Sequence, residues 1–215
     1  MIKGIIFDMD GLMIDSERTT YNCYVDKLKT LGYDYNEELY KLCLGKKKPG
    51  ICQTFIDAFP GIDIDEVWDD VHVELDKRLL SDVPLKKGLI ELLEYLKDNN
   101  YKTIVATSSE RHRVDKILDK AGIHKYFDDT ICGNEVTNGK PNPEIFIKGC
   151  QKIDVGVDEV IVLEDSEAGI QAAVNGKMKV ICIPDMKYPE EKYASECTKI
   201  LDSLLDVIDY LKQNK

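Results

Sequence analysis

The sequence predicts an α/β fold: a doubly wound parallel sheet with an all-helical domain inserted after its first strand. Three observations carry that prediction. Five short runs, Lys3–Phe7, Lys102–Thr107, Asp129–Cys132, Glu159–Leu163 and Lys179–Ile183, are rich in β-branched residues and almost continuously apolar, as strands covered on both faces are. Helical patterns separate the later runs from one another, which in a parallel sheet means right-handed crossovers. Between Ser16 and Ser81 no convincing strand occurs, only helical runs.

The first strand ends in Asp8-Met9-Asp10-Gly11. Side chains of an extended segment alternate faces, so Asp8 and Asp10 project to one side. Gly11 then lets the chain turn away without a Cβ penalty. Two acids on one side of a strand end suit a metal-assisted nucleophile paired with a proton carrier, although two solvated acids would look the same. The inserted region predicts four helices: Glu17–Leu31 ending at Gly32, Glu37–Leu44, Ile51–Phe59 and Ile64–Leu80. An insertion here is expected to stand over the carboxyl ends of the strands, where open α/β sheets bind ligands. Residues 16–81 are therefore assigned to the helical domain, and residues 1–15 and 82–215 to the α/β core.

After Gly88, Ile90, Leu93 and Leu96 predict the helix that leads into the second strand. That strand ends in Ala106-Thr107-Ser108-Ser109, whose hydroxyls and free backbone N–H groups suit an oxyanion, or equally a routine helix cap. Val114, Ile117, Leu118 and Ala121 form the next helix, stopped by Gly122. Beyond the third strand, Gly139-Lys140-Pro141-Asn142-Pro143 holds Lys140 on a loop stiffened by two prolines. A Walker A reading of this stretch fails, because Pro141 stands where Ser or Thr is required. Asn142, Pro143 and Glu144 read as N-cap, N1 and N2 of a helix carrying Ile145, Phe146 and Cys150. The fourth strand runs into Glu164-Asp165-Ser166, two adjacent acids that favour a hard divalent cation, or an acidic N-cap. Leu201, Leu204, Leu205, Ile208 and Leu211 give the last helix its apolar stripe.

Bulk composition narrows the function classes. A net charge of -11 over 215 residues argues against binding to nucleic acid or to an anionic membrane, since both need a cationic field. An anionic substrate then requires local cations and a metal. Seven scattered cysteines without a C-x-x-C spacing favour a reducing compartment, with Cys132 and Cys182 as small core residues. His72, His112 and His124 lack the mutual spacing of a zinc site. No basic leader or long apolar run precedes the fold, so the expected location is cytoplasmic.

Taken together, the four strand-end motifs resemble the haloacid dehalogenase-like superfamily, in its capped phosphatase and β-phosphoglucomutase-like branch. The matching residues are Asp8-Met-Asp10-Gly11-Leu-Met-Ile-Asp15-Ser16, Thr107, Lys140 within Gly-Lys-Pro-Asn-Pro, and Glu164-Asp165-Ser-Glu-Ala-Gly169. Order and spacing agree over essentially the whole chain. The resemblance implies a Rossmann-like core, a helical cap over residues 16–81, and a small phosphorylated metabolite as substrate. It implies that Asp8 attacks phosphorus and becomes an aspartyl-phosphate, while Asp10 gives and then takes a proton. Mg²⁺ would be held by the Asp8 and Asp165 carboxylates and the Asp10 carbonyl, with Glu164 a ligand or an outer partner. Thr107 and the Ser108 N–H would hold phosphoryl oxygens, Lys140 would neutralise them, and Lys48 aligns with a basic cap residue that contacts substrate. Family members are commonly monomers.

Within that branch, Asp10 separates phosphate-ester enzymes from dehalogenases, whose halide leaving group needs no proton. β-Phosphoglucomutases carry a histidine where this chain has Thr20, and a lysine and an asparagine where it has Glu110 and Arg111. An acid at position 110 would repel a second phosphate group, so a simple phosphatase is expected and a mutase is the alternative. Arg111, His112 and Arg113 read equally well as solvated or as substrate-facing. A phospho-acceptor signalling domain would share the aspartate, Thr and Lys, but has no use for Asp10 or for a helical insertion.

Overall fold

A computed structural model describes residues 1–214. At its centre lies β1 (Gly4–Phe7), flanked by β2 (Lys102–Ala106) on one side and β4 (Val160–Glu164) on the other. With β3 (Asp129–Ile131), β5 (Lys179–Cys182) and β6 (Lys199–Ile200), the order is β3-β2-β1-β4-β5-β6, every pair parallel. The chain builds outwards from β1 to β3, then crosses back to β4, so the order reverses between β1 and β4. A parallel sheet leaves a crevice at such a point, outside the carboxyl ends of the strands.

Backbone packing divides the protein into two units, Met1–Asp15 with the chain from Val83 onward, and Ser16–Asp82. In the first unit β1 alternates. Ile6 joins Ile104, Val162 and Val180 in a core closed by α7 (Glu144–Lys152) and α8 (Glu167–Asn175). Ile5 and Phe7 point to the opposite face. There the buried leucines of α5 (Leu89–Asp98) pack with α10 (Leu204–Gln213), and Phe7 meets the Phe127 ring edge-on at 5.6 Å. The helix α6 (Arg111–Lys120) buries Val114, Ile117 and Leu118, and α9 is a single turn, Glu191–Ala194.

The second unit is entirely helical: α1 (Ser16–Thr30), α2 (Glu37–Lys41), α3 (Lys48–Ala58) and α4 (Ile64–Ser81). Its core is aromatic, with Tyr24 and Tyr35 around Phe55 at centroid distances of 4.9 and 5.2 Å. Val67, Val71, Leu75 and Leu79 form the buried stripe of α4, which packs along α1.

Four local expectations are corrected. The short β6 carries no apolar run long enough to register as a strand. Helix α2 stops at Lys41, and the residues to Leu44 form a turn. Helix α3 starts not at Ile51 but at Lys48, with Pro49 supplying a preset φ at the next position. Pro143, not Asn142, is the N-cap of α7, and the Asn142 side chain instead accepts from the Glu144 N–H at 3.0 Å.

Candidate active site

Register brings the strand-end motifs to one level. Phe7 lies beside Val105 of β2 and Leu163 of β4, so the next residues, Asp8, Ala106 and Glu164, sit side by side along the rim. The Asp8 N–H continues the ladder by donating to the Leu163 carbonyl at 3.1 Å. Into this row reaches Lys140 from the loop between β3 and α7. Its ammonium donates to Asp8 Oδ1 at 2.5 Å, to Glu164 Oε1 at 2.6 Å and to the Ala106 carbonyl at 3.3 Å. The same ammonium lies 4.8 Å from the centroid of the buried Phe146 ring, an apolar wall that keeps the interaction strong.

Glu164 is 0% exposed, and its other oxygen is equally committed. Oε2 accepts from the Asp165 N–H, the Ser166 N–H and the Ser166 hydroxyl at 2.9 to 3.0 Å. Ser166 also caps α8 by accepting from the Gly169 N–H. A side chain at Gly169 would collide with the Glu164 carboxylate, so the small residue there is the space that the acid occupies. Gly11 does the same for Asp165: its φ is +81°, and a Cβ would overlap the Asp165 carboxylate.

Carboxylate oxygens of Asp8, Glu164 and Asp165 all lie within 4.8 Å of one another. Three acids thus converge, and the two buried ones, Asp8 and Glu164, share one lysine. Such an excess of negative charge is expensive in a low-dielectric site unless a cation enters it. Burial pushes the Asp8 carboxyl up to about 7; Lys140 pulls it down and Glu164 raises it again. For Lys140, burial disfavours the charged form, but Asp8 and Glu164 outweigh it and hold the ammonium above the usual lysine range. An all-oxygen, anionic donor set fits a hard divalent cation such as Mg²⁺.

Thr107 is buried at the end of β2, its N–H donating to the Ile131 carbonyl and its hydroxyl accepting from the Ser109 N–H at 3.1 Å. Ser108 beside it is exposed. Asp10 lies two residues beyond Asp8 and is held from another direction: Arg113 donates to both of its oxygens at 2.8 Å, and the Ser109 hydroxyl donates to Oδ2 at 2.7 Å. Lys48 belongs to the helical unit, and its partners Asp65 and Trp68 lie there too.

Sequence reasoning missed the tie between Asp10 and Arg113. The one available signal was the four-residue spacing from Ser109 to Arg113, and it does not separate Arg113 from its basic neighbours. The structure does. Arg111 is bound to Thr130 and Glu135 at the end of β3, and His112 is exposed, 3.3 Å from Glu110.

The family model described as haloacid dehalogenase-like hydrolase matches residues 5–183. A phosphorylated carbohydrates phosphatase from Thermotoga maritima is 32% identical over 175 residues, covering 80% of each chain. Validoxylamine A 7′-phosphate phosphatase from Streptomyces hygroscopicus is 26% identical over 210 residues, 96% of each chain. Among solved structures, a haloacid dehalogenase-like protein from Agrobacterium tumefaciens superposes with a TM-score of 0.86 at 26% identity, over 100% of this chain and 99% of that one.

Proposed function

The chain belongs to the haloacid dehalogenase-like hydrolases, and on that premise we propose that it is a Mg²⁺-dependent phosphatase acting on a small phosphomonoester through an aspartyl-phosphate on Asp8. The observation that carries this reading is the row Asp8–Lys140–Glu164 at the carboxyl ends of three adjacent strands. Phosphatase relatives of matching length support the reaction type, and one that acts on phosphorylated carbohydrates makes sugar phosphates the first substrate class to try.

Asp8 and Asp165 would hold the metal with the Asp10 carbonyl, Glu164 serving mainly as partner to Lys140 because hydrogen-bond donors already fill both its oxygens. Bound there, Mg²⁺ would offset the charge that gathers on the phosphoryl oxygens. The chain's own residues do the rest. An Asp8 oxygen bonds to phosphorus as the ester P–O bond breaks, and Asp10 protonates the departing alkoxide. Water then attacks the aspartyl-phosphate, Asp10 takes its proton, and the bond between phosphorus and Asp8 breaks to release phosphate. Lys140 counters the repulsion between Asp8 and the phosphate dianion, about 4 kcal/mol per pair of unit charges at 4 Å and an effective dielectric near 20. Thr107 and Ser108 are read as the seat of the phosphoryl oxygens.

The helical unit is read as the cap that selects the substrate, with Lys48 a candidate contact, and the protein as a cytoplasmic monomer. Phosphate release from a panel of phosphorylated metabolites, with and without Mg²⁺, tests the proposal. Release that requires Mg²⁺ supports it, and silence across the panel with Mg²⁺ present overturns it. Conversion of glucose 1-phosphate to the 6-phosphate would instead establish a mutase.

A further inference from the structure

Asp10 leaves β1 two residues after Asp8, yet its orientation is set by a different element. Arg113, in the first turn of α6, closes a planar fork on it, Nη1 to Oδ2 and Nη2 to Oδ1, both at 2.8 Å. Ser109 completes a ring: its hydroxyl donates to Asp10 Oδ2 at 2.7 Å and lies 2.6 Å from Arg113 Nη1. Ser109 is itself pinned, its N–H on the Thr107 hydroxyl and its carbonyl accepting from the Gly133 N–H at 2.9 Å. Arg113 stands next to Val114, which is fully buried and anchors α6 on the sheet. A two-point pair of this kind fixes the plane of a carboxylate as well as its position, which a lone lysine would not do.

We propose that Arg113 and Ser109 are positioning residues for the proton-carrying step, aiming the Asp10 carboxylate at the leaving-group oxygen. The inference rests on the phosphatase reading. Its chemical signature is selectivity for the leaving group. An alkyl alcohol must be protonated as it departs, whereas 4-nitrophenolate is stable without a proton, so only the first reaction depends on where Asp10 points.

The test is kcat/KM, which covers the steps through loss of the alcohol, measured with Mg²⁺ on glycerol phosphate and 4-nitrophenyl phosphate. R113M is expected to lower the alkyl value by about 10- to 100-fold and the aryl value by less than about 3-fold, in line with a carboxylate misplaced by about 1 Å. R113K should recover part of the alkyl loss. S109A should show the same selectivity at smaller size, in a variant that loses one hydroxyl only. In a D10N background, R113M should add nothing further, because both changes disable one function. An equal fall on the two esters, additivity with D10N, or an alkyl rate that stays level or rises would overturn the inference. Wild-type protein silent on these esters and on the whole metabolite panel sinks the phosphatase reading and this inference with it; where another alkyl ester of the panel is turned over it replaces glycerol phosphate, and wild-type turnover without selectivity in R113M sinks the inference alone.

Discussion

Lys140 Nζ lies 2.5 Å from Asp8 Oδ1, and the ammonium that makes this contact is also the partner of Glu164, at 2.6 Å. One cation therefore holds two carboxylates from adjacent strands, each almost shut off from water. The arrangement is a structural joint as well as the proposed reactive site, and the two roles give separable predictions.

Removing the lysine should be severe. In Lys140→Met, Asp8 and Glu164 face each other without compensation, and breaking a buried pair from one side costs about 3–5 kcal/mol. Urea unfolding in EDTA should show that loss. Mg²⁺ should return part of it, and turnover should fall by orders of magnitude even where the variant is folded. An unchanged unfolding midpoint would mean that Lys140 is not the cation that balances these acids.

Asp8→Asn should act in the opposite direction on stability. Folding raises the Asp8 carboxyl from 3.8 to about 7, chiefly by burial. A group raised in this way favours the folded state while it keeps its proton. Its contribution is complete below the unfolded value and is lost as pH climbs through about 7. Metal-free wild type at pH 8 thus holds a strained buried charge, worth a few kcal/mol and at most roughly 4. The asparagine variant has no such charge. In EDTA it should melt higher than wild type at pH 8, with the gap narrowing towards pH 5, and it should not turn over. Equal melting at both pH values would contradict this account.

Two glycines offer a geometric test. Gly169→Ala places a methyl group on the Glu164 carboxylate, whose four donors then shift together. Unfolding free energy should drop by about 2 kcal/mol or more, as when a buried network is broken. Gly11→Ala meets Asp165 instead and also forces a positive φ, a strain of about 1–2 kcal/mol. Calorimetric Mg²⁺ titration should therefore find affinity weakened in Gly11→Ala. A variant with wild-type affinity would mean that Asp165 tolerates displacement.

These relationships differ in how far they could be read from the chain alone. Strand ends were legible because buried parallel strands leave uninterrupted apolar runs, and the acids after Phe7 and Leu163 break those runs sharply. Convergence then follows from register, which sets Asp8 and Glu164 level across one ladder. Sharing of Lys140 was not legible, since it depends on how the loop before α7 crosses the rim. Nor was Arg113: three basic or titratable residues in a row at a helix start differ only in the direction each faces, and α6 packing decides that. The start of α3 shows the limit from the other side, because its apolar pattern begins at Ile51 and Lys48 joins the helix only once Pro49 is recognised as an early helix position.

Metal binding supplies the last prediction. If Mg²⁺ binds as proposed, protons compete with it for Asp8, whose carboxyl is pushed up to about 7 in the metal-free protein. Mg²⁺ at about 100 times its Kd should stabilise the fold by about 2.7 kcal/mol, since it binds the folded state alone. That stabilisation should be large at pH 8 and should shrink as pH falls below 7, with affinity dropping up to about 10-fold per pH unit where one proton is displaced. Asp165→Asn removes one of the three converging carboxylates and should abolish most of the effect at every pH. Thermal melts over a Mg²⁺ series at pH 6 and 8, for both proteins, separate the cases. A shift independent of pH would place the ion away from Asp8. A full shift in Asp165→Asn would place it away from the strand ends, leaving the excess of buried acids without the cation that the phosphatase reading requires.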